Sequence, residues 1–552
     1  MKSKLAMAAP VVLSVLIGCG APTRTGGTSS GGATSSAGGD SASGGNSAGS
    51  SGRGGVGGSG STASSGGATQ PGGTTGQGGG VASGGVTNAG GNAGAGGVVV
   101  SGGKTGAGGV SAPGGATGSG GATGAGGVSA PGGTTGSGGT TASTGTGPQG
   151  PCDLYQEGNT PCAGAHSTVR ALYSSYSGPL YQVQRASDKT TKDILVGSGG
   201  YADTSVQDSF CSGTTCTIPI IYDQSPNGNH LRVTWFSHWL VNGGSAANAT
   251  AAKITAKGHT VYGIKTTGQF DDTGKNPNVA YRTGTPLSGT ASVVKGSTSV
   301  TFSSPQTLPA NSPLMFGAAV ASCSTYSCPV SYTATDISAA TTVTLKTAYN
   351  GPSDSASVTW NEATKGVATG DDPEAMYSVL DAKSYSSYCC FDYGNAEMDG
   401  VDDGKGTMEA LYFGSSTQFG SHGSGSGPWL LADLEDGMYA GDSASESASV
   451  TSNTSITGMS YVTGMLKGPS GNKMGIKAGD AQSGKLQVKW DGARPPGYSP
   501  QKKQGAIILA TGGDGSNAGT GIWFEGAITN GLPTDATDDA VQANIVAAGY
   551  GK

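Results

Sequence analysis

The stretch GAIILATGGDGSNAGTGIWFEGAIT, Gly505 to Thr529, holds two short runs of aliphatic and aromatic residues separated by Gly, Asp, Ser and Asn. The same texture recurs in CTIPIIYD (216–223), TVYGIKT (260–266), MYSVLD (376–381), MEALYFG (408–414), PWLLADLE (428–435), SYVTGML (460–466) and KLQVKW (485–490). Short β-rich runs divided by turn residues predict an all-β sandwich or barrel rather than βαβ units. Two short helices are expected, over HSTVRALYSSY (166–176) and DDAVQANIVAAGY (538–550). The second opens on Asp538 and Asp539, whose charges suit a helix N-terminus.

Working outward, the chain divides by composition. A basic start, Met1-Lys2-Ser3-Lys4, precedes an apolar run to Gly18 and then Cys19. This is the pattern of an export signal over 1–18, too short and too interrupted by Pro10 for a good membrane span. LIGCG (16–20) resembles a bacterial lipobox, which implies cleavage before Cys19 and lipidation of its thiol. Gly20 offers no retention signal of the aspartate type, so the expected location is the outer membrane or cell surface, with the lipid as the only membrane contact. Residues 19–150 are Gly, Ser, Thr and Ala with only Arg24, Asp40, Arg53 and Lys104 as charges, and GGVSAPGGATGSGG (108–121) returns as GGVSAPGGTTGSGG (126–139). So little apolar surface cannot offset chain entropy, and a disordered tether of roughly 60–70 Å r.m.s. span is expected. From Pro151 the composition supports a sizeable core, assigned to 151–282 and 361–552. The Ser/Thr/Val-rich segment 283–360, with its own cysteine pair, is expected to be a small inserted β unit.

Net charge is −6 and no Lys/Arg cluster is present, which excludes an electrostatic footprint for nucleic acid. Export implies an oxidising compartment, so the eight cysteines after Cys19 are expected to form bridges. Eight allow about 105 pairings; spacing favours Cys152–Cys162, Cys211–Cys216, Cys323–Cys328 and Cys389–Cys390. Without CxxC pairs or HExxH, and with five scattered histidines, no metal or other cofactor is expected.

Two stretches carry candidate chemistry. In GPWLLADLEDGMYAG (427–441), a strand over 429–435 would put Trp429, Leu431, Asp433 and Glu435 on one face. Paired carboxylates beside apolar groups suit sugar chemistry, although an Asp-x-Glu in a strand is more often a solvated face. In the opening stretch, an apolar strand runs into Gly512-Gly513-Asp514-Gly515, leaving Asp514 at a loop rim with Glu525 as a competing carboxylate; a plain turn is the simpler account of GGDG. His230 in YDQSPNGNHL (222–231) suits a structural role. DGVDDGKG (399–406) could hold calcium but lacks the full EF-hand spacing.

Five blocks in order resemble the catalytic domain of α-L-arabinofuranosidase B, glycoside hydrolase family 54: PCDLYQEGNTPCAGAHSTVRALYSSYSGPLYQVQR (151–185), QDSFCSGTTCTIPIIYDQSPNGNHL (207–231), AMYSVLDAKSYSSYCCFDYGNAE (375–397), GPWLLADLEDGMYAG (427–441) and QGAIILATGGDGSNAG (504–519). The resemblance implies a concanavalin-like (jelly-roll) sandwich of two antiparallel sheets and an exo-acting, retaining, double-displacement hydrolase of arabinose-containing plant polysaccharides or oligosaccharides. Glu435 falls at the nucleophile and Asp514 at the general acid/base, with Asp433, Asp436, Met438 and Gly513 lining the sugar pocket. It further implies that Cys389–Cys390 is a vicinal disulfide forming an apolar wall against the sugar. Two departures stand out: Phe419 replaces a tryptophan of the family pattern, and Asp436 replaces an asparagine. A monomer is expected, and a non-catalytic, lectin-like surface protein on the same fold is the alternative.

Overall fold

Along the strand Trp429–Asp433, Leu430 and Ala432 enter the main hydrophobic core while Trp429 and Leu431 pack in a separate apolar cluster with Cys389, Cys390, Tyr412, Met438 and Ala440. Successive side chains of a strand point to opposite faces, so one strand can serve both a core and a site. The computed structural model describes residues 147–234, 244–268, 279–322, 331–335, 337–398, 400–515 and 519–552. The expected signal segment, Cys19, the tether up to residue 146 and the Cys323–Cys328 bridge lie outside these residues.

The expected all-β sandwich is what forms. One sheet has seven strands, running from Cys162–Ser167 through Gly521–Thr529, Glu374–Tyr385, Tyr461–Gly468 and Met474–Asp480 to Ser483–Gly492. The other has eleven, and its order at one end is Met438–Tyr439, Trp429–Asp433, Glu409–Gly414, Asp392–Ala396, Ala506–Leu509, Tyr281–Thr283. Pairing in this region is antiparallel throughout. The core between the sheets is filled by groups such as Tyr377, Tyr393, Leu430, Ile507, Trp523 and Phe524. On the far side of the eleven-stranded sheet, Ala396, Met408, Ala410, Ala506 and Ile508 form a separate apolar cluster.

Between Tyr281–Thr283 and Glu374–Tyr385, two four-stranded sheets enclose a second core that includes Val300, Phe302, Leu314, Phe316, Tyr332 and Tyr349. Its aromatic rings pack on one another, with Phe316 and Tyr349 edge to face at 5.7 Å.

The helix expected over 166–176 does not form. His166 and Ser167 end a strand, and the hydroxyl of Ser167 accepts hydrogen bonds from the amides of Val169 and Arg170 (both 3.0 Å). Leu172 donates its amide to the Gln224 side chain (2.7 Å). These local and tertiary bonds satisfy the backbone outside a helix, while buried Val169 and Leu172 mimic helical spacing. A helix unforeseen in the sequence precedes it, Pro151–Glu157, opened by a proline and tied down by the Cys152–Cys162 disulfide. The terminal helix forms as Asp535–Ala547, three residues earlier than expected, because Thr534 caps it by accepting from the Thr537 amide (3.2 Å).

Candidate active site

The strand Trp429–Asp433 stops at Asp433, so Glu435 does not reach the site by strand alternation as its sequence spacing suggested. Glu435 and Asp436 both adopt left-handed backbone, φ 62° and 54°, in a turn closed by the Leu434 amide on the Gly437 carbonyl (3.1 Å). Such φ values are uncommon for side-chain-bearing residues and are held by their surroundings. Here the Glu435 amide donates to the Asp433 carboxylate (3.3 Å), and the Phe419 carbonyl accepts from Met438 (2.8 Å). Gly437 has no room for a side chain, since a Cβ would lie 2.1 Å from the Tyr439 hydroxyl. The turn therefore aims a buried Glu435 while leaving Asp436 half-buried beside it.

Asp514 arrives from a strand three places along the same sheet. After Ala506–Leu509 the chain turns at Ala510 (φ 65°), and Gly513 packs so closely that a Cβ would meet a Glu397 carboxyl oxygen at 1.9 Å. Glu397, which the sequence reading passed over, lies one residue beyond the strand Asp392–Ala396 and is fully buried. Buried Arg282 ties the two acids together: it donates to the backbone carbonyls of Gly513 (3.2 Å) and Glu397, and its charge is met by Glu362 at 3.3 Å.

The result is a cluster of carboxyl groups with little water to solvate them. Burial pushes Glu435 well above the usual carboxylate range, helped by the charges of Glu397, Asp514, Asp433 and Asp402. Glu397 is raised to about 8, chiefly by burial and then by Asp514, against hydrogen bonds from Thr407 (2.6 Å) and with Glu435. Asp433 is pushed to about 7 by burial and by Asp514, offset by the Glu435 amide. Behind it Asp392, raised by burial and by the Asp433 charge, has no hydrogen-bond partner on either oxygen. Burial and mutual repulsion thus favour the protonated forms of Glu435, Glu397 and Asp433.

An apolar wall completes the site. Cys389 and Cys390 are joined across a cis peptide, both buried against Tyr412, Trp429 and Met438. Phe419 packs at the edge of this group and meets the Tyr388 ring at 5.5 Å. The two sulfurs and an Asp433 oxygen lie within 4.8 Å of one another, but bonded sulfurs are not thiolate ligands for a metal. The local Cys211–Cys216 bridge is also present.

The competing features resolve elsewhere. Glu525 belongs to the other sheet, locked in a buried pair with Arg170 (2.7 and 2.8 Å). His230 accepts from the Asp223 amide (2.9 Å), a structural bond. In the 400–406 loop, Asp402 accepts from the Gly404 amide (2.9 Å) within the loop, while Asp403 accepts from the Gln504 side chain (2.6 Å) and ties the loop to the segment before Ala506–Leu509.

The cluster has a consequence for stability. Glu397, Asp433, Glu362 and Glu374 have folded-state values of about 8, 7, 7 and 7 against ordinary ones near 4. Between those limits the folded chain holds more protons than the unfolded one, so stability falls as pH rises. Thermal unfolding midpoints are expected to drop by at least a few degrees from about pH 5 to pH 8; Glu397→Gln should flatten that slope.

The sequence profile of the family described as "Alpha-L-arabinofuranosidase B, catalytic" matches residues 151–301 and 311–551. A probable α-L-arabinofuranosidase B of Aspergillus fumigatus is 41% identical over 410 residues, covering 73% of this chain and 62% of that protein. An arabinofuranosidase/β-xylosidase of Trichoderma koningii is 40% identical over 407 residues, 73% and 63%. Among solved structures, an arabinofuranosidase complexed with arabinofuranosyl-α-1,2-xylobiose superposes with a TM-score of 0.55 at 37% identity, over 73% of this chain and 66% of that one. A family 54 α-L-arabinofuranosidase soaked with a cyclic sulfate inhibitor superposes equally well. The chain thus spans a little over three fifths of the length of these relatives.

Proposed function

The chain belongs to the α-L-arabinofuranosidase B catalytic family, and on that premise we propose that it releases terminal, non-reducing α-L-arabinofuranosyl residues from arabinoxylan- or arabinan-type glycans. The observation that carries this reading is the pairing of two buried carboxyl groups from different loops, Glu435 and Asp514, each within the field of the other. Retaining hydrolysis requires two such groups about 5–5.5 Å apart. Glu435 attacks the anomeric carbon as the glycosidic C–O bond breaks, and Asp514 gives its proton to the departing oxygen. Water then enters, gives a proton to Asp514 and displaces Glu435, so the configuration is retained.

Asp433, held by its bond from the Glu435 amide, takes a sugar hydroxyl. The Cys389–Cys390 sulfurs, Met438 and Phe419 cover an apolar sugar face. Gly513 lines the pocket, its missing side chain leaving room for the Glu397 carboxyl behind it, and Asp436 stands beside Glu435 with Lys405 nearby. Catalysis is assigned to 151–282 and 361–552, with 283–360 as an inserted β unit bordering that sandwich. The three disulfides support an exported protein; lipidation at Cys19 and attachment at the outer membrane or cell surface follow from LIGCG, and a monomer suffices for the chemistry.

The deciding measurement is arabinose release from 4-nitrophenyl α-L-arabinofuranoside and from arabinoxylan, with the product anomer followed by NMR. Turnover giving first the α-anomer supports the proposal. Binding without turnover would establish the lectin-like alternative, and initial release of the β-anomer would overturn double displacement.

A further inference from the structure

The chain leaves the main sandwich at Gly284 and returns at Glu362, the two ends of the second β unit. At this neck Thr285–Pro286 pairs with Thr359–Asn361, which brings Gly284 against Glu362. A Cβ on Gly284 would meet Glu362 Oε1 at 2.6 Å, so the missing side chain makes room for the carboxyl group. There Glu362 faces Arg282, Nε to Oε2 at 3.3 Å with both side chains buried, and neither Glu362 oxygen accepts a hydrogen bond from the described residues. Arg282 stands on Tyr281–Thr283, directly opposite Ile508 of the strand that runs on toward Asp514. Its other two nitrogens donate to the carbonyls of Glu397 and of Gly513 (3.2 Å), the residue before Asp514. The neighbouring Thr283 hydroxyl accepts from the Ile507 amide (3.0 Å), so the neck holds that strand at two points.

We infer that Arg282 is a positioning residue for Asp514, held in place by Glu362, and that the second β unit thereby braces the loop carrying the acid/base. The catalytic meaning rests on the glycosidase reading; the brace itself does not. Arginine suits the place because its planar guanidinium offers several N–H donors in one rigid fork, able to span two carbonyls and a carboxylate together. A lysine ammonium is a single point and cannot span them. The bond to Gly513 acts one residue from Asp514, so it fixes where that side chain starts. A buried guanidinium also needs a counter-charge, and leaving it unmatched is strongly unfavourable. Glu362 supplies that charge from the second unit, where its own amide donates to the Pro313 carbonyl (3.0 Å) beside the strand Pro313–Phe316. The unit thus reaches the site through one ion pair, without itself supplying a group that touches the sugar.

Two variants of the full chain test this. Arg282→Lys keeps the charge beside Glu362 but gives up the fork, and Glu362→Gln keeps the shape but removes the counter-charge. Followed by hydrogen exchange and mass spectrometry, both should speed exchange of the 510–515 amides by about tenfold or more while 429–441 stays as in wild type. On arabinoxylo-oligosaccharides each should lower kcat roughly 10- to 100-fold, the scale of a misplaced reacting group, with KM within about threefold. The aryl substrate, whose leaving group needs little acid help, should lose at least about fivefold less. In an Asp514→Asn background the same changes should cost under about twofold more, because the group being positioned is gone. Unchanged exchange over 510–515 overturns the inference. So do equal losses on both substrates that persist in the Asp514→Asn background, which would make the pair a support of the fold alone. Arg282→Lys retains the ion pair and carries every readout if Glu362→Gln does not fold. Absence of arabinofuranoside turnover by the wild type would sink the glycosidase reading alone, since exchange is measured without substrate.

Discussion

Glu435→Gln is expected to lower arabinofuranoside hydrolysis by about 10⁴-fold or more while sugar binding persists, the signature of losing a covalent nucleophile. The amide cannot attack carbon, yet it fills the same space in the left-handed turn and leaves the Glu435 amide bond to Asp433 intact. Binding measured by calorimetry with arabinose or a short arabinoxylo-oligosaccharide should stay within about tenfold of wild type. A variant retaining more than a few per cent of wild-type turnover would remove Glu435 from the nucleophile's role, and Asp433 would be the next carboxylate to test.

Asp514→Asn should give the second largest effect, and its size should depend on the leaving group. General acid catalysis contributes typically about 10²–10⁴-fold. A sugar leaving group needs the proton and should suffer the full loss, whereas 4-nitrophenolate departs with little help. Natural oligosaccharides should therefore slow at least about tenfold more than the aryl substrate. Added azide, which needs no base to attack the intermediate, should restore turnover on the aryl substrate. If that leaving-group pattern followed Glu397→Gln rather than Asp514→Asn, the acid/base role would pass to Glu397.

Much of the fold was legible because strand and core coincide here. Runs such as AIIL and EALYFG are buried on both faces, so their apolar character survives without a long-range partner to explain it. The site was legible only in part. Asp433 follows from period-two alternation along Trp429–Asp433, but Glu435 is aimed by a left-handed turn, and no spacing rule reports that. Glu397 ends an unremarked NAE, and it matters because Gly513, far along the chain, packs against it. Glu525 and Asp514 looked alike in one stretch; only the Arg170 partner, contributed by a distant loop, separates a core ion pair from a site acid. The false helix over 166–176 arose the same way, since Ser167 and Gln224 supply the bonds that helical spacing seemed to promise.

The strand Cys162–Ser167 lies in register with Gly521–Thr529, which also borders Glu374–Tyr385. One early strand thus waits for a partner made more than three hundred residues later, and Arg170 waits equally long for Glu525. Loop-closure entropy must be met before such contacts give anything back, so this sandwich should assemble slowly and late. Until Gly521–Thr529 emerges, Cys162–Ser167, Ile264–Thr266 and Glu374–Tyr385 each present an unpaired edge to it, the state in which β-rich chains aggregate. Secretion yield in a heterologous host should then depend less on the strength of the finished protein than on how well the half-made sheet is kept from its own copies.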